Sequence, residues 1–305
     1  YGFKHFYPGI RVVGVVFNFV ASVAHYAYLQ QACVDAGVEA LGYIPKDESI
    51  VIPSRHLGLS IDETFCFDAF ADRVAEVIDK TVNVDRLLEL CTVEFSGKQT
   101  EGVICSGNRK IAIARDEAFN FMYRENVEAL KRAGEVVFFS PLRDKRLPDA
   151  DLVYFPGGYP ELHLPELAAN EGMRQAVRKY CETGGRVLAE CGGMMYLCDT
   201  ITSEDGKVYP MAGVLKQGAT MEQMKLKLGY REVRVNGQRI RGHEFHYSRI
   251  LPGHEKIPVI GTIYNAKDMV VDTPVYTYKN VLASYIHFYW GECGIDHFLM
   301  LMSQK

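Results

Sequence analysis

Cys191 stands between two apolar runs, Arg186-Val187-Leu188-Ala189-Glu190 before it and Gly192-Gly193-Met194-Met195-Tyr196-Leu197 after it. A strand that turns sharply into a helix at a nucleophile lifts the thiol above a sheet, at the positive end of that helix. That end favours the thiolate, and the amides of Gly192 and Gly193 have no side chains to keep an oxyanion away. A buried structural cysteine explains the same residue equally well, because cysteine is among the most buried types. Two other segments shift the balance. The apolar run Leu152-Val153-Tyr154-Phe155 ends in Pro156-Gly157-Gly158, where backbone amides can approach a ligand closely. His287 lies near the end of Ala283-Ser284-Tyr285-Ile286-His287-Phe288-Tyr289, a strand-like aromatic and β-branched run. Such parts suit nucleophilic catalysis, with Cys191 as the candidate nucleophile, His287 as the candidate base and the Gly158 and Gly192 amides as candidate oxyanion donors.

Other residues carry weaker signals. Glu244, in Gly242-His243-Glu244-Phe245-His246-Tyr247-Ser248, is a carboxylate suited to orienting His287. His243 and His246 are three apart, which on a strand puts them on opposite faces, so no metal site is expected there. Arg55 and His56 follow Pro53 in a loop, and a guanidinium beside an imidazole suits substrate carboxylates or a phosphate. A loop packed by Leu57 and Leu59 is the alternative. Asp116 and Glu117 either face a cleft between domains or, for Asp116, cap the next helix. Arg231, Arg234, Arg239 and Arg241 read most simply as a solvated strand face.

The length of 305 residues allows two domains, and an apolar content of 48% suffices for their cores. No apolar run spans a bilayer and no leader pattern opens the chain, so a cytoplasmic location without membrane partners is expected. A formal charge of -4 gives no reason to expect nucleic-acid binding. The cysteines are irregularly spaced without a Cys-x-x-Cys pair, the usage of a reduced compartment. A homo-oligomer is compatible with the sequence.

Periodicity gives an α/β order. Arg11–Phe17 reads as a buried parallel strand, Ala21–Ala36 as a helix closed by Gly37, and Val38–Ile44 as the next strand. A helix follows from Asp62 to Lys80, then a short one over Asp85–Cys91, and the polar Ser96–Gly102 stretch marks a boundary. The expected domains are 1–90 and 109–305, joined by a linker at 91–108. The second has strands at Lys110–Ala114, Val136–Phe139, Leu152–Phe155 and Arg186–Ala189, with helices at Phe121–Ala133 and Glu171–Thr183. Alternating strands then follow at Tyr230–Val235, Arg239–Glu244 and Val275–Tyr278, and a helix over Ile295–Met302 closes the chain.

The order of strand with Pro-Gly-Gly, cysteine elbow and late histidine resembles that of class I glutamine amidotransferases. Longer segments are more specific. Ala114-Arg115-Asp116-Glu117-Ala118-Phe119-Asn120-Phe121-Met122-Tyr123, Phe139-Ser140-Pro141-Leu142, Pro156-Gly157-Gly158-Tyr159-Pro160-Glu161-Leu162-His163 and Gly242 to Ser248 resemble cobyrinic acid a,c-diamide synthases. So do Gly14-Val15-Val16-Phe17-Asn18 and Pro53-Ser54-Arg55-His56-Leu57-Gly58-Leu59, so the resemblance covers essentially the whole chain. It implies an ATP-dependent synthetase domain, P-loop and dethiobiotin-synthetase-like, followed by a class I amidotransferase-like domain with a nucleophile elbow. It further implies amidation of the a and c acetate carboxylates of a cobyrinic acid-type tetrapyrrole in cobalamin biosynthesis. Glutamine would supply ammonia, and ATP with Mg2+ would activate each carboxylate as an acyl phosphate. Asn18 would then read the adenine edge.

Two departures qualify this. No Gly-x-x-x-x-Gly-Lys-[Ser/Thr] pattern occurs before residue 109, so the phosphate cradle and most of the magnesium site are missing from this stretch. The chain is expected to begin part-way through the synthetase domain and to hydrolyse glutamine without completing amidation. Class I amidotransferases commonly carry a carboxylate two residues after the histidine, where this chain has Tyr289. That leaves a dyad, or Glu244 acting from another strand. Rival readings are a nickel-sirohydrochlorin a,c-diamide synthase, a cysteine hydrolase or redox sensor of the DJ-1 and PfpI kind, and a regulatory scaffold with a vestigial elbow.

Overall fold

The computed structural model describes residues 1–7, 9–52, 54, 55, 58, 59, 66–94, 107–291, 295, 298, 299 and 301. The chain divides into two compact units, Tyr1–Gln99 and Thr100–Lys305.

In the first unit the strands Gly14–Val20 and Glu39–Pro45 pair in parallel, joined by the helix Val23–Ala36. Ser22 caps that helix by accepting from His25 N, and Gly37 closes it at φ 64°. The Arg11–Phe17 run was expected to be a buried strand. Its pairing instead starts at Gly14, with one strand neighbour among the described residues, and only Val20 of Gly14–Val20 is buried. An apolar strand is buried on both faces only where layers cover both. The helices Phe67–Thr81 and Val84–Cys91 follow. His56 and the expected helix start at Asp62 lie outside the described residues. Arg55 falls in the two-residue strand Ser54–Arg55, paired with Gly58–Leu59.

The second unit is built on a six-stranded sheet. Its order is Val275–Tyr278, Val281–Ser284, Arg186–Glu190, Leu152–Phe155, Arg109–Ala114, Gly134–Phe139. All neighbours are parallel except the first pair. Central strands alternate between two cores. Ala112, Val153 and Phe155 face Met173, Val177 and Tyr196, while Ile113, Tyr154 and Leu188 face Leu130, Ile240 and Trp290. Both faces are covered, so the strands must be apolar throughout. An antiparallel sheet of Thr262–Asn265, Lys227–Val235, Gln238–His246 and Ile286–Phe288 ends in the strand that carries His287. No helix among the described residues is long and apolar enough to cross a membrane.

Asp116 does not cap a helix, since the next one, Arg124–Ala133, starts after Tyr123. Its Oδ1 accepts from Ala118 and Phe119 N–H at 3.0 and 3.1 Å, and its Oδ2 from Ser140 Oγ and Leu142 N at 2.8 and 3.0 Å. Glu117 pairs with Arg143 at 2.8 Å. Phe121 N donates to Gly157 O and Tyr159 N to Ala118 O. Three of the signature segments are thus one structure: the loop after Arg109–Ala114 is pinned to Ser140–Leu142 and to the Pro156–Gly158 turn.

Candidate active site

Cys191 follows the Arg186–Glu190 strand with φ 45° and ψ -107°, a backbone that L residues rarely adopt and that costs about 1–3 kcal/mol. Cys191 N donates to Ser284 O at 2.7 Å and Gly193 N to Pro156 O at 3.1 Å, which hold the turn. The second of these bonds removes Gly193 as an oxyanion donor. The amides of Gly158 and Gly192 make no backbone hydrogen bond among the described residues. They lie side by side: a methyl on Gly192 would fall 3.0 Å from Gly158 O and 3.2 Å from Gly158 N. Gly158 has φ 152°, and a methyl there would strike the Ala118 carbonyl. A methyl on Gly157 would overlap the His287 imidazole. The glycine turn therefore touches the elbow through one residue and the imidazole through the other.

Cys191 is 6% exposed. Burial drives its thiol well above the usual value, the Glu161 carboxylate adds to this, and the Gly192 N–H opposes it. The helix expected to favour the thiolate is only Gly192–Leu197, one and a half turns, so desolvation wins. Besides the Gly192 N–H the thiol has Phe245 O at 3.9 Å, and no hydrogen bond joins it to His287 in this form. His287 is buried in Ile286–Phe288. Burial, with the nearby His243 and His246 rings, pulls its pKa down to about 3, so the resting imidazole is neutral and a weaker base than a free one.

Glu244 does not orient His287. In the strand register His243 lies opposite His287, while Glu244 lies opposite Ile286 and faces the other side. Its Oε1 is 2.8 Å from His246 Nε2, and its Oε2 accepts from Arg231 Nε at 2.7 Å and Thr273 Oγ1 at 2.8 Å. Burial works against the ionised form, but these bonds and the His246 and Arg231 charges hold Glu244 at about 2. Arg231 is accordingly not solvated, its side chain being 11% exposed. His246 stacks on Tyr285 at 3.6 Å, and His243 stacks on His287 at 4.8 Å.

Residues 110–293 match the CobB/CobQ-like glutamine amidotransferase domain family. The chain is 34% identical over 306 residues to the cobyrinate a,c-diamide synthase of Salmonella typhimurium, covering 95% of this chain and 67% of that protein. This chain belongs to the cobyrinate a,c-diamide synthase family. The hydrogenobyrinate a,c-diamide synthase of Pseudomonas aeruginosa is 36% identical over 95% of this chain and 66% of its own length. The cobyrinate a,c-diamide synthase of Saccharolobus solfataricus is 34% identical, with 95% and 68% covered. The chain thus spans about two thirds of the length of these family members. A solved glutamine amidotransferase structure aligns with 63% of this chain and 98% of its own at 23% identity, with a TM-score of 0.43.

Two buried residues near the family's elbow escaped the reading of the sequence as hydrogen-bonding groups. Glu190 Oε2 accepts from the Tyr154 hydroxyl at 2.8 Å, and its Oε1 accepts from Phe288 N at 3.2 Å. Asn126 Nδ2 donates to Phe288 O at 2.7 Å, and its Oδ1 accepts from Trp290 N at 2.9 Å. Between them they fix the backbone after His287. Glu190 had one signal, its place beside Cys191; Asn126, on a helix face, had none. Burial raises Glu190 to about 8 from a usual 4.5, against the Tyr154 and Phe288 bonds. The folded chain therefore binds this proton more tightly than the unfolded one. The stability so gained is present below the unfolded pKa and is lost as pH rises through the folded one. Urea midpoints should fall from about pH 5 to about pH 8 more steeply in the parent than in Glu190→Gln. Equal slopes would show a carboxyl that stays ionised in its site.

In the first unit Asn18 is exposed near the end of its strand, and its Oδ1 accepts from Phe19 N at 2.9 Å. It lines a cavity of about 940 Å³ with Ile44, Lys46, Ile50 and Phe70. That space and the Asn18 amide fit the base of a nucleotide. The triphosphate does not find its fit, because the sequence has no phosphate-loop pattern.

Proposed function

We propose that this chain supplies the glutamine-hydrolysing half, and part of the synthetase half, of an enzyme that amidates the a and c acetate carboxylates of a cobyrinic acid-type tetrapyrrole. The observation that carries the reading is the Gly157–Gly158 turn, in contact with His287 on one side and the Cys191 elbow on the other. Glutamine binding brings thiol and imidazole into hydrogen-bond reach. His287 takes the Cys191 proton as the sulfur attacks the side-chain amide carbon, and the Gly158 and Gly192 N–H groups receive the oxyanion. The imidazolium returns the proton to departing ammonia, leaving a thioester on Cys191. His287 then deprotonates the water that releases glutamate. A pair that starts as neutral thiol and neutral imidazole holds the one proton this sequence needs.

In the whole enzyme ATP with Mg2+ would supply the phosphoryl group that activates each carboxylate toward ammonia. Asn18 would face its base, while Arg55 and His56 are the candidates for holding substrate carboxylates. The relatives' names divide between cobyrinate and hydrogenobyrinate, so the reading rests on the acetate arms and not on the central metal. The irregular cysteine spacing, with no Cys-x-x-Cys pair, supports a reduced, cytoplasmic setting for the reaction. The family match favours this reading over a DJ-1-like hydrolase or a scaffold.

The test is glutamine turnover by the 305-residue chain. Glutamate and ammonia should appear in equal amounts, and the electrophilic glutamine analogue 6-diazo-5-oxonorleucine should label Cys191 once. A chain that neither releases glutamate nor takes the label does not have this activity.

A further inference from the structure

We propose that His243, itself held by Tyr123, is a positioning residue that sets the ring of His287 for proton transfer. This rests on the reading of His287 as the glutaminase base.

His287 lacks the usual means of orientation. Its Nδ1 is buried without a hydrogen-bond partner. Tyr289 stands two residues on, and the Glu244 carboxylate is taken by His246, Arg231 and Thr273 on the far face of its strand. What surrounds the imidazole instead is a slot. His243, its cross-strand partner, lies nearly parallel to it, with ring centres 4.8 Å apart and planes at 17°. Phe121 meets it edge-on at 4.6 Å, and the Gly157 backbone closes another side. The His243 ring is fixed in turn, since Tyr123 Oη lies 2.6 Å from its Nδ1. The His287 ring can turn only by displacing one of these neighbours.

The slot also suits the charge that develops. When His287 takes the thiol proton it becomes an imidazolium facing the flat side of an aromatic ring, an arrangement in which the ring's π electrons attract the cation. Burial lowers the pKa of His243 and so favours its uncharged form, which limits the repulsion that a charge on this ring exerts on His287. A stacked neutral ring stabilises an imidazolium less than a carboxylate does, so the effect falls on orientation and shows in kcat.

The experiment compares glutamine hydrolysis in the full chain with His243→Ala, His243→Phe and Tyr123→Phe. His243→Ala should lower kcat about 10–100-fold with KM within about 2-fold, the scale of a misplaced catalytic group. His243→Phe keeps the stacking face and should recover kcat to within about 5-fold of the parent. Tyr123→Phe should lose about 3–10-fold in kcat. Parental kcat in His243→Ala, KM rising in step with the loss, or His243→Phe as impaired as His243→Ala would each overturn the positioning role. If His243→Ala does not fold by circular dichroism, the other two decide: Tyr123→Phe at parental kcat, or His243→Phe down by more than about 10-fold, sinks the proposal. His287→Ala separates the two levels. If it is inactive while His243→Ala is normal, only the positioning role fails. If His287→Ala hydrolyses glutamine at the parental rate, the glutaminase reading fails and takes this proposal with it.

Discussion

Cys191→Ser removes glutamine hydrolysis, with glutamate release expected to fall at least about 10⁴-fold, as when a nucleophile is deleted from a unit that acts together. The fold should survive. The elbow backbone is held by Cys191 N to Ser284 O and Gly193 N to Pro156 O, neither of which involves the sulfur. The sulfur's own contact, Phe245 O at 3.9 Å, is too long to be a bond on which the fold depends. What is lost is nucleophilicity: a hydroxyl is less acidic and less nucleophilic than a thiol, and gives up its proton less readily to a buried imidazole whose pKa is lowered. Cys181 and Cys198 are also buried, and burial raises both thiols, yet neither sits beside the glycine turn. Changing either to alanine should leave hydrolysis within about 3-fold of the parent. The assay is glutamate release with a matched unfolding curve. A Cys191→Ser chain that keeps a tenth or more of the rate would assign the nucleophile elsewhere.

Gly157→Ala is expected to cost about 10³-fold in kcat, nearly as much as removing His287 itself. A methyl at this position overlaps the imidazole, and the ring has nowhere to go, with His243 stacked on one side and Phe121 edge-on to it. The turn cannot withdraw either, because Gly157 O accepts from Phe121 N and the next carbonyl-to-amide link, Tyr159 N to Ala118 O, pins the following residues. Overpacking of this kind costs stability of about 1–3 kcal/mol, so the chain should still fold. Because both changes act on one group, Gly157→Ala combined with His287→Ala should be little worse than His287→Ala alone. Additive losses in that cycle, or near-parental activity in Gly157→Ala, would mean that the turn does not seat the imidazole.

The strands of the second unit could be read from the sequence because burial on both faces leaves no choice of residue type. Lys110–Ala114, Leu152–Phe155 and Arg186–Ala189 are apolar at nearly every position and become adjacent parallel strands. The same test overreached at Arg11–Phe17, whose apolar residues stay largely half-exposed, with one strand neighbour among the described residues. The elbow was legible as well, since a small-residue turn between an apolar strand and an apolar helix is a local pattern. So was membership of the family, carried by Arg115–Phe119, Pro156–His163 and Gly242–Ser248. Tertiary structure alone decided the partners. Gly193 looked equal to Gly192 until its N–H was found on Pro156 O, and Glu244 looked available until strand register turned it toward His246 and Arg231. The charge state of Cys191 depended on burial by segments far along the chain, which outweighed a short helix. His243 meets His287 only because two distant strands pair in one register and not the next. A sequence determines which residues must be inside, because water acts on each residue by its type. Hydrogen-bond partners and desolvation belong to pairs of groups, and only the folded chain determines which pairs meet.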